Sequence, residues 1–247
     1  MLAVIMIDAK RRFVGSASIC MLAGSAALAI GCSEDAGKNM ETNANNLETQ
    51  VARVEISGQR FNIPVRYMYR SAIEKYRQWP RTKKERVTVG AVGLSMLLPD
   101  LRPYYPEDDA RWKVRGHGER VDVDIMKPVG RDDWYQWVID DLSNEIAQGK
   151  ATIMAEQDGL VHVSRMLSET YYPAKNKGEL LIGCDKNNPK LSPSCKVKSN
   201  YRSGVVLEYY FGLDFLPMWQ QVDNGLKELL DRFSLDAQSE NEPRRSL

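Results

Sequence analysis

Four cysteines and two histidines are the residues of this 247-residue chain whose types and spacing could do chemistry. His117 lies in Arg115-Gly116-His117-Gly118-Glu119-Arg120, which reads as a turn between strands, with Asp122 and Asp124 just beyond it. An imidazole beside a carboxylate is the minimum for general-base work. Both aspartates, however, fall on one side of the alternating run Val121-Asp122-Val123-Asp124-Ile125, opposite the valines, where a solvated strand face is expected. His162 alternates with Val161 and Val163 and is expected to point outward from a half-buried strand. Cys184 and Cys195 stand eleven positions apart, and the two histidines lack the spacing to complete a metal site with them. In an oxidising compartment this pair is expected as a disulfide across the turn-rich segment 185–194. Pro106-Glu107-Asp108-Asp109 has the acidity for calcium but not the spaced oxygens and glycine of a calcium loop, and reads as an acidic surface loop. A phosphate loop, a His-Glu-x-x-His zinc motif and a Gly-x-Ser-x-Gly elbow are all missing. No catalytic residue, metal or cofactor is expected, so the chain reads as a non-enzyme.

Cys32 carries a different chemistry. It follows a basic cluster (Lys10, Arg11, Arg12) and an apolar, small-residue stretch from Phe13 to Ile30, with Gly31 directly before it. That order is a secretory leader, too short and too rich in Gly, Ala and Ser for a membrane span. Ala29-Ile30-Gly31-Cys32 looks like a lipobox, which implies that the Cys32 thiol is acylated and becomes the mature N-terminus. An ordinary secretory signal or an uncleaved anchor are the alternatives. By the rule for the lipoproteins this motif resembles, Ser33 in place of Asp after the cysteine implies outer-membrane sorting, facing the periplasm. The leader takes three of the 34 basic residues and one of the 33 acidic ones, leaving the mature chain near a formal charge of −1. A balanced charge gives no long-range pull on nucleic acid or anionic headgroups, so contact with the membrane is expected through the N-terminal lipid alone.

The elements that must position these residues are legible as patterns. Residues 33–49 are polar and aperiodic, making 32–49 a flexible tether, and 234–247 reads as a loose tail. Between them strand-like runs recur at Val51–Ile56, Phe61–Met68, Val87–Leu94, Val121–Ile125, Ala151–Ala155, Leu160–Met166, Leu180–Cys184 and Val205–Phe211. Two segments have helical spacing. Trp134, Val138, Leu142 and Ile146 line one face behind a cap at Asp132 or Asp133, and Trp219, Val222, Leu226, Leu229, Leu230 and Phe233 line another after Pro217. The expected fold class is α+β, with antiparallel-rich sheets and two amphipathic helices in one domain over residues 50–233. Lys113-Val114-Arg115 and Lys196-Val197-Lys198 each read as a basic strand, followed by a turn, an apolar strand and a Trp-bearing helix. An internal duplication of a strand-strand-helix unit (50–150 and 151–233) is one reading of this, coincidence the other.

Most aromatics fall on core faces by periodicity. The exceptions are Tyr104-Tyr105 and Tyr171-Tyr172, beside prolines in loop-like segments. Exposed tyrosines suit a protein-binding surface, and with Asp108 and Asp109 these four are the expected partner contacts, on the loops 98–112 and 169–177.

Phe61-Asn62-Ile63-Pro64-Val65-Arg66-Tyr67, then Leu97-Leu98-Pro99-Asp100-Leu101, then Trp219-x-x-Val222-Asp223 leading to Leu229-Leu230-x-x-Phe233, resembles envelope lipoproteins that act as immunity partners of type VI secretion effectors. The nearest likeness is to those that protect against lipase (phospholipase) effectors, and it spans most of residues 55–233. The resemblance implies a stoichiometric inhibitor that binds a secreted antibacterial effector in the periplasm. A structural or binding lipoprotein of the envelope without a toxin partner is the alternative.

Overall fold

The computed structural model describes residues 47, 49–69, 79–80, 82–175, 179–186 and 192–239. The expected leader, Cys32, nearly all of the tether and residues 240–247 lie outside the described residues.

The alternation at Val121–Ile125 marks the middle of a strand, β5 (Arg120–Met126), whose two valines and isoleucine are buried and whose aspartates face the other way. It belongs to an eight-stranded, fully antiparallel sheet with β4 (Ala91–Leu97), β6 (Thr152–Ile153), β7 (Leu160–Ser164), β8 (Ser168–Pro173), β9 (Leu180–Asp185), β10 (Ser194–Arg202) and β11 (Val205–Gly212). The strand order is β4-β5-β11-β10-β9-β8-β7-β6, so a meander from β6 to β11 returns to pair with β5. A smaller sheet is built by β1 (Val51–Ile56), β2 (Gln59–Pro64) and β3 (Val87–Thr88), with β1 antiparallel to β2 and parallel to β3. Ser57 and Gly58 make the two-residue β1–β2 turn, both at positive φ (51° and 79°), as a hairpin matched to strand twist requires.

Three α-helices occur among the described residues: α1 (Asp109–Trp112), α2 (Trp134–Ala147) and α3 (Trp219–Ser239). The apolar face expected for α3 is buried from Trp219 to Phe233, under one face of the large sheet and against β2. Gly225 lets Leu101 approach the helix, since a Cβ there would lie 2.9 Å from Leu101 Cδ1. α2 covers the other face of the large sheet, where Leu142, Val138, Ile139 and Ile146 meet Val161, Val163, Tyr172 and Leu181. The mixed α+β class is as expected.

Several boundaries differ from expectation. α3 continues through Ser239, with Ser234 and Ala237 buried, so the first part of the supposed tail is helix. Ser234 disguised this, because its hydroxyl is satisfied by Arg202 Nη1 at 3.0 Å and can be buried. Asp133 occupies the N-cap position of α2 without capping it, since its carboxylate accepts both hydrogen bonds of Arg131, at 2.8 Å. Lys113–Arg115 is a turn and not a strand, and α2 and α3 lie on opposite faces of the sheet. The two halves therefore do not repeat one strand-strand-helix unit.

Candidate functional site

Cys184 on β9 and Cys195 on β10 face each other in register, and their sulfurs are joined at 2.08 Å. Both are fully buried in the main core, so the bridge pins two adjacent core strands as well as closing a loop.

The tyrosines expected to be exposed are not all available. Tyr104, 8% exposed, stacks on Tyr69 at 3.9 Å between ring centroids and meets the edge of Trp112 at 5.6 Å. With Leu97 these rings form a subsidiary core, to which the Trp79 ring also packs. Tyr105 is half-buried beneath the Arg66 guanidinium, 4.5 Å from its ring centroid. Asp108 is 8% exposed and accepts from Arg102 at 2.7 Å and Arg111 at 3.4 Å, while Asp109 pairs with Lys113 and accepts from the Tyr104 hydroxyl. The segment 98–112 is thus a packed unit and not an open acidic loop. Glu169–Pro173 is likewise no loop. It belongs to β8, where Tyr171 (7% exposed) faces the core side and Tyr172 lies under α2. Of the six expected contacts, Tyr105, Asp109 and Tyr172 keep partial exposure and Tyr104, Asp108 and Tyr171 do not.

Among the described residues neither a helix nor an aromatic cluster roofs one strip of the large sheet, where Lys196 is exposed and Lys198, Glu208, Tyr210, Asp122 and Asp124 are half-buried. On the face away from α3, the β4 end is roofed by the Tyr69–Tyr104–Trp112 cluster and the β7–β9 end by α2. Between them two cross-strand rows run over β10, β11, β5 and β4: Lys196–Tyr210–Asp122–Ser95 and Lys198–Glu208–Asp124–Gly93. Their backs are Val197, Tyr209 and Val123, all buried, so the core fixes where each polar side chain stands. Lys196 Nζ reaches Glu208 at 2.8 Å and lies 5.6 Å from the Tyr210 ring, and the hydrogen bond to Glu208 raises its pKa. Lys198 Nζ sits 4.5 Å over Trp134, whose Nε1 donates to Asn200 Oδ1 at 3.1 Å. A cleft of about 410 Å³ opens beside this corner, lined by Pro128, Asp132, Trp134, Asn200, Arg202 and Val206 among others.

His117 lies at the edge of the strip, its ring parallel to Tyr210 at 6.2 Å, with Nδ1 3.6 Å from Asp122 Oδ2. Burial lowers its pKa, and the pull of Asp122 does not offset that. The carboxylate is occupied elsewhere: Ser95 Oγ donates to Oδ1 at 2.5 Å and Arg120 Nε to Oδ2 at 3.1 Å. Ser95 is fully buried and turned to Asp122 rather than to the imidazole, so these groups lack the nucleophile–base contact that acyl transfer needs. His162 corrects its expectation. It is on the core-side face, stacked on Tyr171 at 4.4 Å, with Nε2 2.8 Å from Glu169 Oε2. Burial works to raise the Glu169 carboxyl, but the hydrogen bonds from His162 and Ser164 outweigh it and hold the group below its usual range. No cluster of three His, Cys, Asp or Glu able to hold a metal occurs among the described residues.

Sequence reasoning placed Asp122 and Asp124 on the correct face but passed over Lys196, Lys198, Glu208 and Tyr210. The signal was present, since Lys196-Val197-Lys198 and Leu207-Glu208-Tyr209-Tyr210-Phe211 alternate as strands with one polar face do.

No protein-family model matches the chain, and no curated protein matches it. Two solved structures share the fold. An immunity protein of the Stenotrophomonas maltophilia type IV secretion system aligns at a TM-score of 0.52 and 12% identity, covering 74% of this chain and 92% of that one. The iron-regulated outer membrane lipoprotein FrpD of Neisseria meningitidis aligns at 0.53 and 14% identity, covering 76% and 93%. No described helix is long and apolar enough to cross a membrane.

Proposed function

We propose that this chain is a periplasm-facing envelope lipoprotein that binds a secreted antibacterial effector and neutralises it stoichiometrically, without catalysis. The observation that carries this is the charged, half-exposed strip that lies, among the described residues, between two roofed ends of the large sheet, on a fold shared with a secretion-system immunity protein. Its side chains are held by the core behind them, so a partner need not pay to order them. Neutral overall charge leaves recognition to local groups, and Lys196, Lys198, Glu208 and Tyr210 supply both signs and an aromatic surface. Tyr105 and Asp109, half-buried on the packed segment 98–112, are further contacts on this reading. In the finer form of the reading the effector is a lipase of a type VI system, as the motifs around Phe61–Tyr67 and Leu97–Leu101 suggest. A second reading, an outer-membrane lipoprotein with no toxin partner, is favoured by the likeness to FrpD.

The test is direct. Deleting the gene beside an intact neighbouring toxin gene should make cells sensitive to their siblings, and the purified chain should form a one-to-one complex that silences the toxin. Lys198→Gln should weaken that complex at a stability cost of no more than about 1 kcal/mol, the worth of its contact with Trp134. Survival of the deletion strain, with no effector bound by the purified chain, would hand the case to the second reading. Inhibition of a toxin that is no lipase would keep the immunity role and remove its finer form.

A further inference from the structure

The β7–β8 hairpin ends in an unusual tip. Arg165 N donates to Ser168 O at 3.0 Å, leaving Met166 and Leu167 as the two-residue turn. Each is 82% exposed, the highest among the exposed large hydrophobic side chains of the described residues. Two-residue hairpin turns favour Asn, Asp and Gly, which tolerate positive φ, and neither Met166 nor Leu167 adopts it. Turn chemistry does not call for this pair, and no core receives it. The flanks are basic. Thr152 pairs with Ser164, so Lys150 stands on the β6 side of the tip, and Ser168 pairs with Asp185, so Lys186 stands on the β9 side. Arg165 precedes the pair. The nearby acids and two of these bases pair with one another: Glu145 with Arg165 at 2.7 Å and Glu169 with Lys186 at 3.5 Å, while Glu169 also meets His162 and Asp185 meets Ser194.

We propose that the Met166–Leu167 tip is a second membrane contact, which seats in the boundary between headgroups and acyl chains and orients the domain on the bilayer that holds it. Aliphatic side chains at an apex, flanked by Lys150 and by Arg165 and Lys186, whose pairs with Glu145 and Glu169 a lipid phosphate would replace, match an interfacial lipid contact. A protein hot spot would draw instead on Trp, Tyr and Arg. Two side chains alone bind a membrane weakly, but a tethered domain meets its own bilayer at high effective concentration. The inference rests on the lipid at Cys32 for that tether. Residues 33–49 reach at most about 60 Å, so an anchored body stays close to the surface. On this proposal the N-terminal lipid is not the sole membrane contact.

The experiment places the mature chain, bearing Leu167→Cys labelled with an environment-sensitive fluorophore, on vesicles of phosphatidylethanolamine and phosphatidylglycerol. One arm uses the acylated protein, with the acyl mass checked. The other carries Cys32→Ser and an N-terminal hexahistidine tag held by nickel-chelating lipid, which keeps the tether without its acyl chains. The label should shift to the blue and be quenched by lipid-borne quenchers in both arms, and Met166→Asp should cut the inserted fraction at least about tenfold. Met166→Asn with Leu167→Gly supplies a favoured turn and keeps the hairpin, so a fluorophore at Ser168→Cys should report insertion lost in a folded protein. Insertion in the tagged arm, with no acyl mass on the untagged chain, upholds the tip and removes the lipid anchor. A label that stays in water in both arms overturns the proposal. So does one that leaves water only when an effector is added, which would assign the tip to a protein partner.

Discussion

Tyr209→Phe removes one oxygen from the centre of the core, and its cost can be worked from the structure. Tyr209 is fully buried on β11, and its hydroxyl donates to Asp223 Oδ1 on α3 at 3.1 Å. Asp223 is buried too, and its other oxygen meets Lys227 Nζ at 2.7 Å. Burial pushes the Tyr209 phenol well above its usual pKa, with the Asp223 charge adding to this, so the group donates throughout the accessible range. A hydrogen bond to a charged acceptor is worth about 1.5–3 kcal/mol, and phenylalanine fills nearly the same space. The expected loss is about 2 kcal/mol, roughly 4–8 °C in Tm for a domain of this size. Asp223→Ala should cost more, because it strands a buried phenol, unpairs Lys227 and leaves a cavity. Tyr209→Phe with Asp223→Leu should recover part of that, since both partners then become apolar together. Urea unfolding at constant m reads all three. A loss for Tyr209→Phe below about 0.5 kcal/mol, or an Asp223→Ala no worse than Tyr209→Phe, would refute the view that this pair fixes α3 on the sheet.

Further outcomes follow from the same geometry. Replacing Cys184 and Cys195 together by Ala should lower stability by about 3 kcal/mol, read from the urea midpoint, with the sheet retained by circular dichroism. Tyr104→Ala should cost about 3 kcal/mol or more through loss of its stack on Tyr69, so any weakening of partner binding should track unfolding; weakening without loss of stability would restore Tyr104 as a contact. His117 has a lowered folded pKa, so the unfolded chain takes up the proton first. Its share of stability is therefore complete above about pH 6.5 and is lost as the pH falls below that, and His117→Gln should lose less between pH 7.5 and 5 than wild type, as denaturant titrations at about those two pH values would show.

The parts of the fold that were legible are those where burial repeats at a single period. Val121–Ile125 and the Trp219–Phe233 face could be read directly, because each buried position recurs with its element. Ser168–Pro173 could not, since its strand carries two serine-like polar positions and two tyrosines whose fate depends on what covers them: His162 on one side, α2 on the other. The Tyr69–Tyr104–Trp112 cluster was closed to sequence reasoning for a related reason. Tyr69 comes from a segment well upstream of Tyr104 and Trp112, and a tyrosine beside a proline looks exposed until a distant aromatic is laid on it. The strip itself was half visible, as alternation along single strands; that Lys196, Tyr210, Asp122 and Ser95 line up in one row is a property of register between strands.

The pairing of β5 with β11 has a consequence for the order of events during synthesis. Val123 finds its partner Tyr209 only after β11 has been made, although β4 and β5 can pair with each other as soon as they appear. At roughly 5–20 residues per second, the stretch between them takes about 4–17 s to emerge. Throughout that interval the apolar side of β4 and β5 has neither its sheet neighbour nor α3, and long-range closures of this kind raise contact order and slow the final step. The N-terminal strands are therefore held open by topology alone until β11 is made. Any truncation upstream of Val205 makes that open state permanent.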